Sequence, residues 1–287
     1  MNRLIAAIAY LILAPFIGGL LSGIERKLSA RMQRRKGPSI FQSFYDVRKL
    51  FSKTPQTVNG SQLFIMGSYT FFIIVTGLLL FAGWDLLLVF FTLTTAAMFL
   101  VAAASCTHSP YSTIGANREM IQMMSYEPMV LLTAVGFYLA TGSFDVIDIV
   151  SADTMAIVKL PGCFIGFMFI LTIKLRKSPF DISTSHHAHQ EIVKGLTTEM
   201  SGPCLGLMEI SEWYEKVFLL AIVGMFFTTS NPLSIIVAVV VCAVALFLEV
   251  LIDNTSARLT WKRMLYTSWA VTFLFGGINI LLLEAFK

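Results

Sequence analysis

The informative ionisable side chains inside otherwise apolar stretches are Glu127, Glu209, Glu212, Glu215, Lys216 and Glu249. A charge at the centre of a membrane helix costs about 3 kcal/mol, so the four between 209 and 216 would together cost about 10 kcal/mol against lipid. They must face protein or water. At 100° per residue they fall within an arc of about 120° on one helix face. Counted from Pro203 at 1.5 Å per residue, Glu209, Glu212 and Glu215 lie ~9, ~14 and ~18 Å along the helix, and Glu127 lies ~10 Å into its own. All four stop short of the midplane. That pattern describes a half-channel, and carboxylates in such a setting can take up and release protons.

Simpler readings exist. Glu212 and Lys216, four residues apart, can form a buried ion pair, although one lysine cannot pair with four carboxylates. Glu249, near a segment end, is expected to reach back to the interface. Pro128 follows Glu127 and removes a helix hydrogen bond, which frees the Met124 carbonyl and allows a polar pocket there.

The elements that must position these groups follow from composition. The chain has 287 residues, 56% hydrophobic and 13% charged, with mean hydropathy +0.76. Soluble chains average roughly 25% charged residues, so an ordinary globular enzyme, a disordered chain and a nucleic-acid binder are excluded. About 20 apolar residues cross a bilayer as a helix. Eight segments qualify, at 4–24, 63–83, 86–106, 120–141, 157–175, 203–227, 232–252 and 265–284; Pro161 and Gly162 interrupt the fifth. The expected fold is an all-α integral membrane protein, one transmembrane domain over 1–287 with eight spans. Segment 4–24 follows a basic start like a signal peptide, but it is long, lacks a small-residue cleavage site and precedes seven more spans. Residues 40–53 alternate Phe41, Phe44, Tyr45 and Phe51 with polar residues; too short to cross, they predict an amphipathic helix in the membrane interface.

Basic residues set the orientation. Of the 21 Lys and Arg, only Arg3, Lys159, Lys216 and Lys287 lie away from loops 25–62, 107–119, 176–202 and 253–263, with Lys174 bordering the third. These loops are expected in the cytoplasm and both termini outside, in a multi-pass protein of the cell membrane. Their surplus of positive charge would also attract anionic lipid.

Cys106, Cys163, Cys204 and Cys242 are scattered, so no metal site is expected in this chain and any iron–sulfur cluster must lie on a partner. His186, His187 and His189 are too close together on one short helix to converge on an ion; a partner-facing role is expected, on a helix capped by Thr184 or Ser185 and ended by Gly195.

Three polar runs carry a family likeness. Glu25, Arg26, Lys27, Gln33, Arg35, Gly37 and Pro38 fit the pattern E-R-R-x-x-G-x-x-Q-x-R-x-G-P, with Ala30 at its first glycine. Gly115, Ala116, Arg118, Gln122, Ser125, Tyr126 and Glu127 fit G-A-x-R followed by Q-x-x-S-Y-E. Pro179 to Gly202 fit P-F-D, E-L-V-x-G and T-E-x-S-G in series, and Ser211-Glu212-Trp213 echoes an A-E-Y. In this order on an eight-span chain they resemble respiratory complex I subunit 1 and its relatives in membrane-bound NiFe hydrogenases. Quinone-reducing members carry acids just after the Phe-Asp, where this chain has Ile182 to His189 without any. That departure resembles the Ech-type, energy-converting hydrogenases, whose integral membrane subunit is the nearest likeness.

The resemblance implies a membrane anchor and coupling subunit of a ferredoxin-dependent, hydrogen-evolving complex that moves H⁺ or Na⁺. The 4Fe-4S clusters and the NiFe centre would reside on partners: a small iron–sulfur subunit, a large NiFe subunit and a ferredoxin-like subunit, beside an antiporter-like membrane subunit. On that likeness Glu25, Arg26, Arg35, Arg118, Asp181 and Glu191 form the docking pocket. Glu127, Glu199 and Glu212 belong to the ion path on the likeness, and the helical spacing adds Glu209, Glu215 and Lys216 to it. No catalytic residue is expected in this chain itself. Alternatives are the equivalent subunit of formate hydrogenlyase or of a quinone-linked complex I, a stand-alone secondary transporter, and an inert anchor whose acids only pair. A transporter predicts a midplane site between inverted repeats, and no repeat is evident.

Overall fold

The computed structural model describes residues 2–56, 59–107, 109–183 and 194–285. Among these residues the elements are helical. The long helices are α1 (Asn2–Met32), α3 (Ser61–Ala82), α4 (Leu86–Ser105), α5 (Pro110–Thr141), α8 (Pro161–Lys174), α9 (Gly202–Met225), α10 (Leu233–Thr255) and α11 (Trp261–Ala285). The short ones are α2 (Gln42–Phe51), α6 (Val146–Val150) and α7 (Ala156–Lys159). Every expected span coincides with a long helix. Six of them, α1, α3, α4, α5, α10 and α11, are long and apolar enough to cross a membrane, and the chain is a multi-pass membrane protein.

The other two explain themselves. Helix α9 is long enough but carries Glu209, Glu212, Glu215 and Lys216. It tolerates them because it packs against α1, α2, α3, α8 and α10 and is surrounded by protein. Helix α8 begins at Pro161, not at 157 as expected. Leu160 breaks the chain (φ −122°, ψ 43°), and Pro161 takes the first helical turn, where its missing N–H costs nothing. At 14 residues α8 is about 21 Å long.

Two helices outrun their apolar segments. Helix α1 continues to Met32 and α5 starts at Pro110, so stretches 25–32 and 110–119, expected within connecting loops, are helical. Hydropathy reports contact with lipid, whereas the helix continues while its backbone bonds are met. At 31 and 32 residues both exceed the ~20 that span a hydrocarbon core. They carry Glu25, Arg26 and Glu119 beyond the apolar core.

Helix α2 is present as a separate ten-residue helix against α1 and α9. Phe44 lies over Gly19 and 5.1 Å from the Trp213 ring, while Phe41 and Tyr45 point outward. At the end of the bundle away from the basic loops, Asp85 caps α4 by accepting from the Leu87 and Leu88 amides. Trp84–Leu86 pairs there with Phe144–Val146. Helix α1 starts at this end, with Tyr10 stacked on Phe81, and α11 finishes there, with Asn279 bonded to Cys163 and Lys159. Residues Thr272–Gly277 of α11 form a π-helical stretch in which Gly276 clears Met129 and Leu132 of α5.

Candidate functional site

The charged face of α9 turns toward the basic-loop end of the bundle. There it meets the C-terminal part of α1, the end of α8 with the residues just after it, and the end of α10. Together they enclose a cavity of about 770 Å³, lined by Glu209, Glu212, Glu215 and Lys216 of α9, Ser22, Glu25 and Arg26 of α1, Lys174, Arg176 and Lys177, Asp181, Asp253 and Arg35. The arc read from helical spacing is thus one wall of one cavity.

The pairing is not the Glu212–Lys216 bridge of the simpler reading. Arg176 sits between Glu212, 2.6 Å from its Nη1, and Glu119, 3.2 Å from its Nη2. Ser183 Oγ donates to the other Glu119 oxygen at 2.6 Å. Lys177 donates to Glu25 at 3.0 Å and lies 3.8 Å from Asp253. Lys216 reaches Glu25 from the other side at 3.0 Å and donates to Ser22 Oγ at 2.8 Å. Lys174 pairs with Glu215 at 2.9 Å and stands 4.5 Å from the Tyr126 ring centre. Glu25, Glu119, Glu212 and Glu215 thus balance Lys174, Arg176, Lys177 and Lys216. Removing such charges from water costs several kcal/mol each, and a hydrophobic set of similar volume is often more stable.

Sequence reasoning missed Glu119, Lys174, Arg176, Lys177 and Asp253 as site residues. For Lys174, Arg176 and Lys177 the signal is the density of bases at the end of a span, which topology alone also explains. Arg176 also stops α8 with φ 50°, a left-handed conformation uncommon for a residue with a Cβ. Burial works against the charge on Arg176, but Glu119 and Glu212 outweigh it and hold the guanidinium protonated beyond its ordinary range. For Lys177, burial is likewise opposed by Glu25 and Asp253, and the ammonium is held above the ordinary lysine value.

A second, small cavity of about 20 Å³ lies deeper among α3, α4, α5 and α9, lined by Tyr69, Glu119, Gln122 and Tyr126. That is room for one water. Lys174, Arg176 and Glu215 line both cavities. The charged wall therefore separates an outer polar space from an inner one.

The other expected site residues are placed as follows. Arg26 is exposed, 2.6 Å from Asp46 of α2 and 4.0 Å from Glu209. Slight burial of Asp46 is overcome by its bonds from Gln42 and Arg26, which hold its carboxyl below the ordinary aspartate value. Asp181 lines the cavity and pairs with Arg258 at 3.0 Å. Arg35 lines the rim. Glu127, Glu199 and Arg118 are half-buried and line neither cavity. Glu127 is half-buried on α5 near the exposed Met124; Ser268 donates to the neighbouring Ser125 carbonyl. Glu191, the three histidines and the expected Thr184 or Ser185 cap lie outside the described residues. Glu249 does not reach the interface: it is 1% exposed and bonded by Thr172, because its face of α10 meets α8 and not lipid.

The family model described as NADH dehydrogenase matches residues 5–284. The chain belongs to the NADH dehydrogenase family. Among its relatives is hydrogenase-4 component C of Escherichia coli, 27% identical, with 92% of this chain and 91% of that protein aligned. Formate hydrogenlyase subunit 4 of the same organism is 28% identical over 93% of each chain. NADH-ubiquinone oxidoreductase chain 1 of Branchiostoma lanceolatum is 26% identical, covering 91% of this chain and 88% of that one. A chain of the membrane-bound sulfane sulfur reductase, an archaeal respiratory membrane complex, shares the fold, with a TM-score of 0.87 at 23% identity over 99% of this chain and 100% of that one. Hydrogen-linked and quinone-linked members of the NADH dehydrogenase family thus match this chain about equally well.

Proposed function

We propose that this chain is the membrane anchor and ion-coupling subunit of an Ech-type, ferredoxin-dependent NiFe hydrogenase. The observation that carries the coupling role is the charged wall shared by the two cavities. Lys174, Arg176 and Glu215 face both, so a change of charge in the outer space is felt directly in the inner one. The outer cavity opens among the basic loops, taken to face the cytoplasm, where the small iron–sulfur, large NiFe and ferredoxin-like subunits would dock. The clusters on those partners supply the redox chemistry. Residues of this chain hold and move protons: Glu215 between the cavities, Glu212 in the outer one, Glu209 at the mouth, and Glu127 toward an antiporter-like neighbour. The absence of acids from Ile182 to His189 favours the hydrogenase over a quinone-linked complex.

The equivalent role in a formate hydrogenlyase is supported by the two Escherichia coli relatives. Purification of the intact complex from native membranes, with nickel and iron quantified, tests the assembly. Nickel with excess iron is expected; iron without nickel would move the chain to a quinone-linked enzyme. Reduced ferredoxin and formate as alternative electron donors then separate the two hydrogen-linked readings. In the same complex Glu215→Gln is expected to lower ion movement per electron, and unchanged coupling would remove the proposed path.

A further inference from the structure

Glu249 is the deepest-buried carboxylate of the chain that no ion pair accounts for among the described residues. It lies on α10 where that helix meets α8, with 1% of its surface exposed. Thr172 of α8 donates to Oε1 at 3.2 Å, and Oε2 is buried with no partner among the described residues. A buried carboxylate lacking donors is costly, and such groups persist in membrane helices chiefly where they have work to do.

Its position links it to the charged cavity. Asp253, four residues on along the same face of α10, lines that cavity, about 6 Å away along the helix. The charges that reach Glu249 are Lys177 from the stretch after α8, Glu25 from α1 and Asp253 from α10 itself. Helix α9, also packed on α10, turns its own charges into the cavity. Lys177 is thus shared: it pairs with Glu25, lies near Asp253 and acts on Glu249 from a distance.

We propose that Glu249 is a further proton-carrying residue of the coupling path, one that exchanges a proton with the charged cavity one helical turn away. The proposal rests on the coupling role given above. The Oε2–H bond breaks, the proton passes to cavity water beside Asp253, and the carboxylate left behind keeps its bond from Thr172 and the charge of Lys177. The return step re-forms the same bond. A metal cation is a poor fit, because a hard cation takes several oxygen ligands and Thr172 with one carboxylate supplies few. A proton needs one oxygen, and Oε2 offers it. Glu249 lies on the α10 side of the bundle, so the cavity would have a membrane-embedded branch there.

The test uses the complete complex reconstituted in liposomes and reads protons moved per electron transferred, a ratio that a change in electron-transfer rate alone does not alter. Glu249→Gln, which keeps the size of the side chain and its bond from Thr172, is expected to lower the ratio by more than half, and Glu249→Asp to restore most of it. Glu215→Gln is measured alongside. Uncoupling by Glu215→Gln with full coupling in Glu249→Gln would overturn the Glu249 branch alone. Full coupling in both would overturn the coupling role itself. If Glu249→Gln does not assemble, Thr172→Val leaves the carboxyl in place without its donor. A shifted pH profile of the ratio then supports the proposal, and an unmoved profile with only lower yield overturns it. Sodium movement that falls while proton movement stays constant would also overturn it.

Discussion

At the residue scale, the paired charges are not equivalent. Arg176 is buried between two carboxylates, so Arg176→Met leaves Glu119 and Glu212 facing one another without a cation. Breaking a buried pair this way costs about 3–5 kcal/mol, and a large drop in the unfolding midpoint of the purified complex is expected. Arg26, exposed against Asp46, should cost no more than about 1 kcal/mol as Arg26→Met. Equal effects from both would mean that the cavity is filled with water and screens its charges. Lys177 adds a pH dependence. Its folded value is raised by Glu25 and Asp253, so its stabilisation is complete below the ordinary lysine value of about 10.4 and is lost as pH rises through the folded value. The difference in unfolding midpoint between the wild type and Lys177→Met should therefore be constant through neutral pH and shrink only in strong alkali. These partners were not legible in the sequence. Arg176 and Glu212 are 36 residues apart and Lys177 and Glu25 are 152 apart, while helical spacing identifies only neighbours on one helix. It placed the acids of α9 on a common face correctly and then offered Lys216 as partner, because Lys216 was the one cation within reach of that rule.

At the element scale, the eight apolar segments were legible because lipid contact leaves a hydropathy record, and the polar extensions of α1 and α5 were not, because protein contact leaves none. The same limit explains Glu249. Its distance from a segment end suggested snorkelling, but what decides its fate is the neighbour across the helix, and that neighbour is α8. Close approach of elements is recorded in glycine. A Cβ on Gly115 of α5 would run into the backbone at Gly195 and Leu196, where the turn Gly195–Thr197 packs on α5 beside Glu119. Gly115→Val should therefore push that turn away and weaken the Ser183–Glu119 contact, whereas Gly67→Val, with open space around it, should be tolerated. Assembled complex per cell, compared between the two variants, checks this; equal yields would mean that the turn is free to shift.

At the scale of the whole molecule, burial is distributed unevenly, and that distribution separates what the chain keeps for itself from what it offers to neighbours. Half of the apolar window of α4 and of α5 is buried within the chain, against 22% for α10 and 17% for α11. The outer helices therefore present apolar faces that lipid or other membrane subunits must cover, while the charged cavity lies at the basic-loop end of the bundle. A chain built this way depends on its orientation: reversed, the cavity would open to the opposite compartment. The basic residues around the mouth predict the cytoplasm. Single cysteines at Lys36 and at Asp153, introduced after Cys106, Cys163, Cys204 and Cys242 are replaced, read that directly. Lys36 lines the cavity mouth, and Asp153 lies at the opposite end, within hydrogen-bonding reach of Ser230. In intact cells a membrane-impermeant thiol reagent should label the cysteine at 153 and spare the one at 36. In inverted vesicles the pattern should reverse. Labelling of 36 from outside would turn the cavity away from a cytoplasmic electron donor, and the coupling role would then have to be driven from the other side of the membrane.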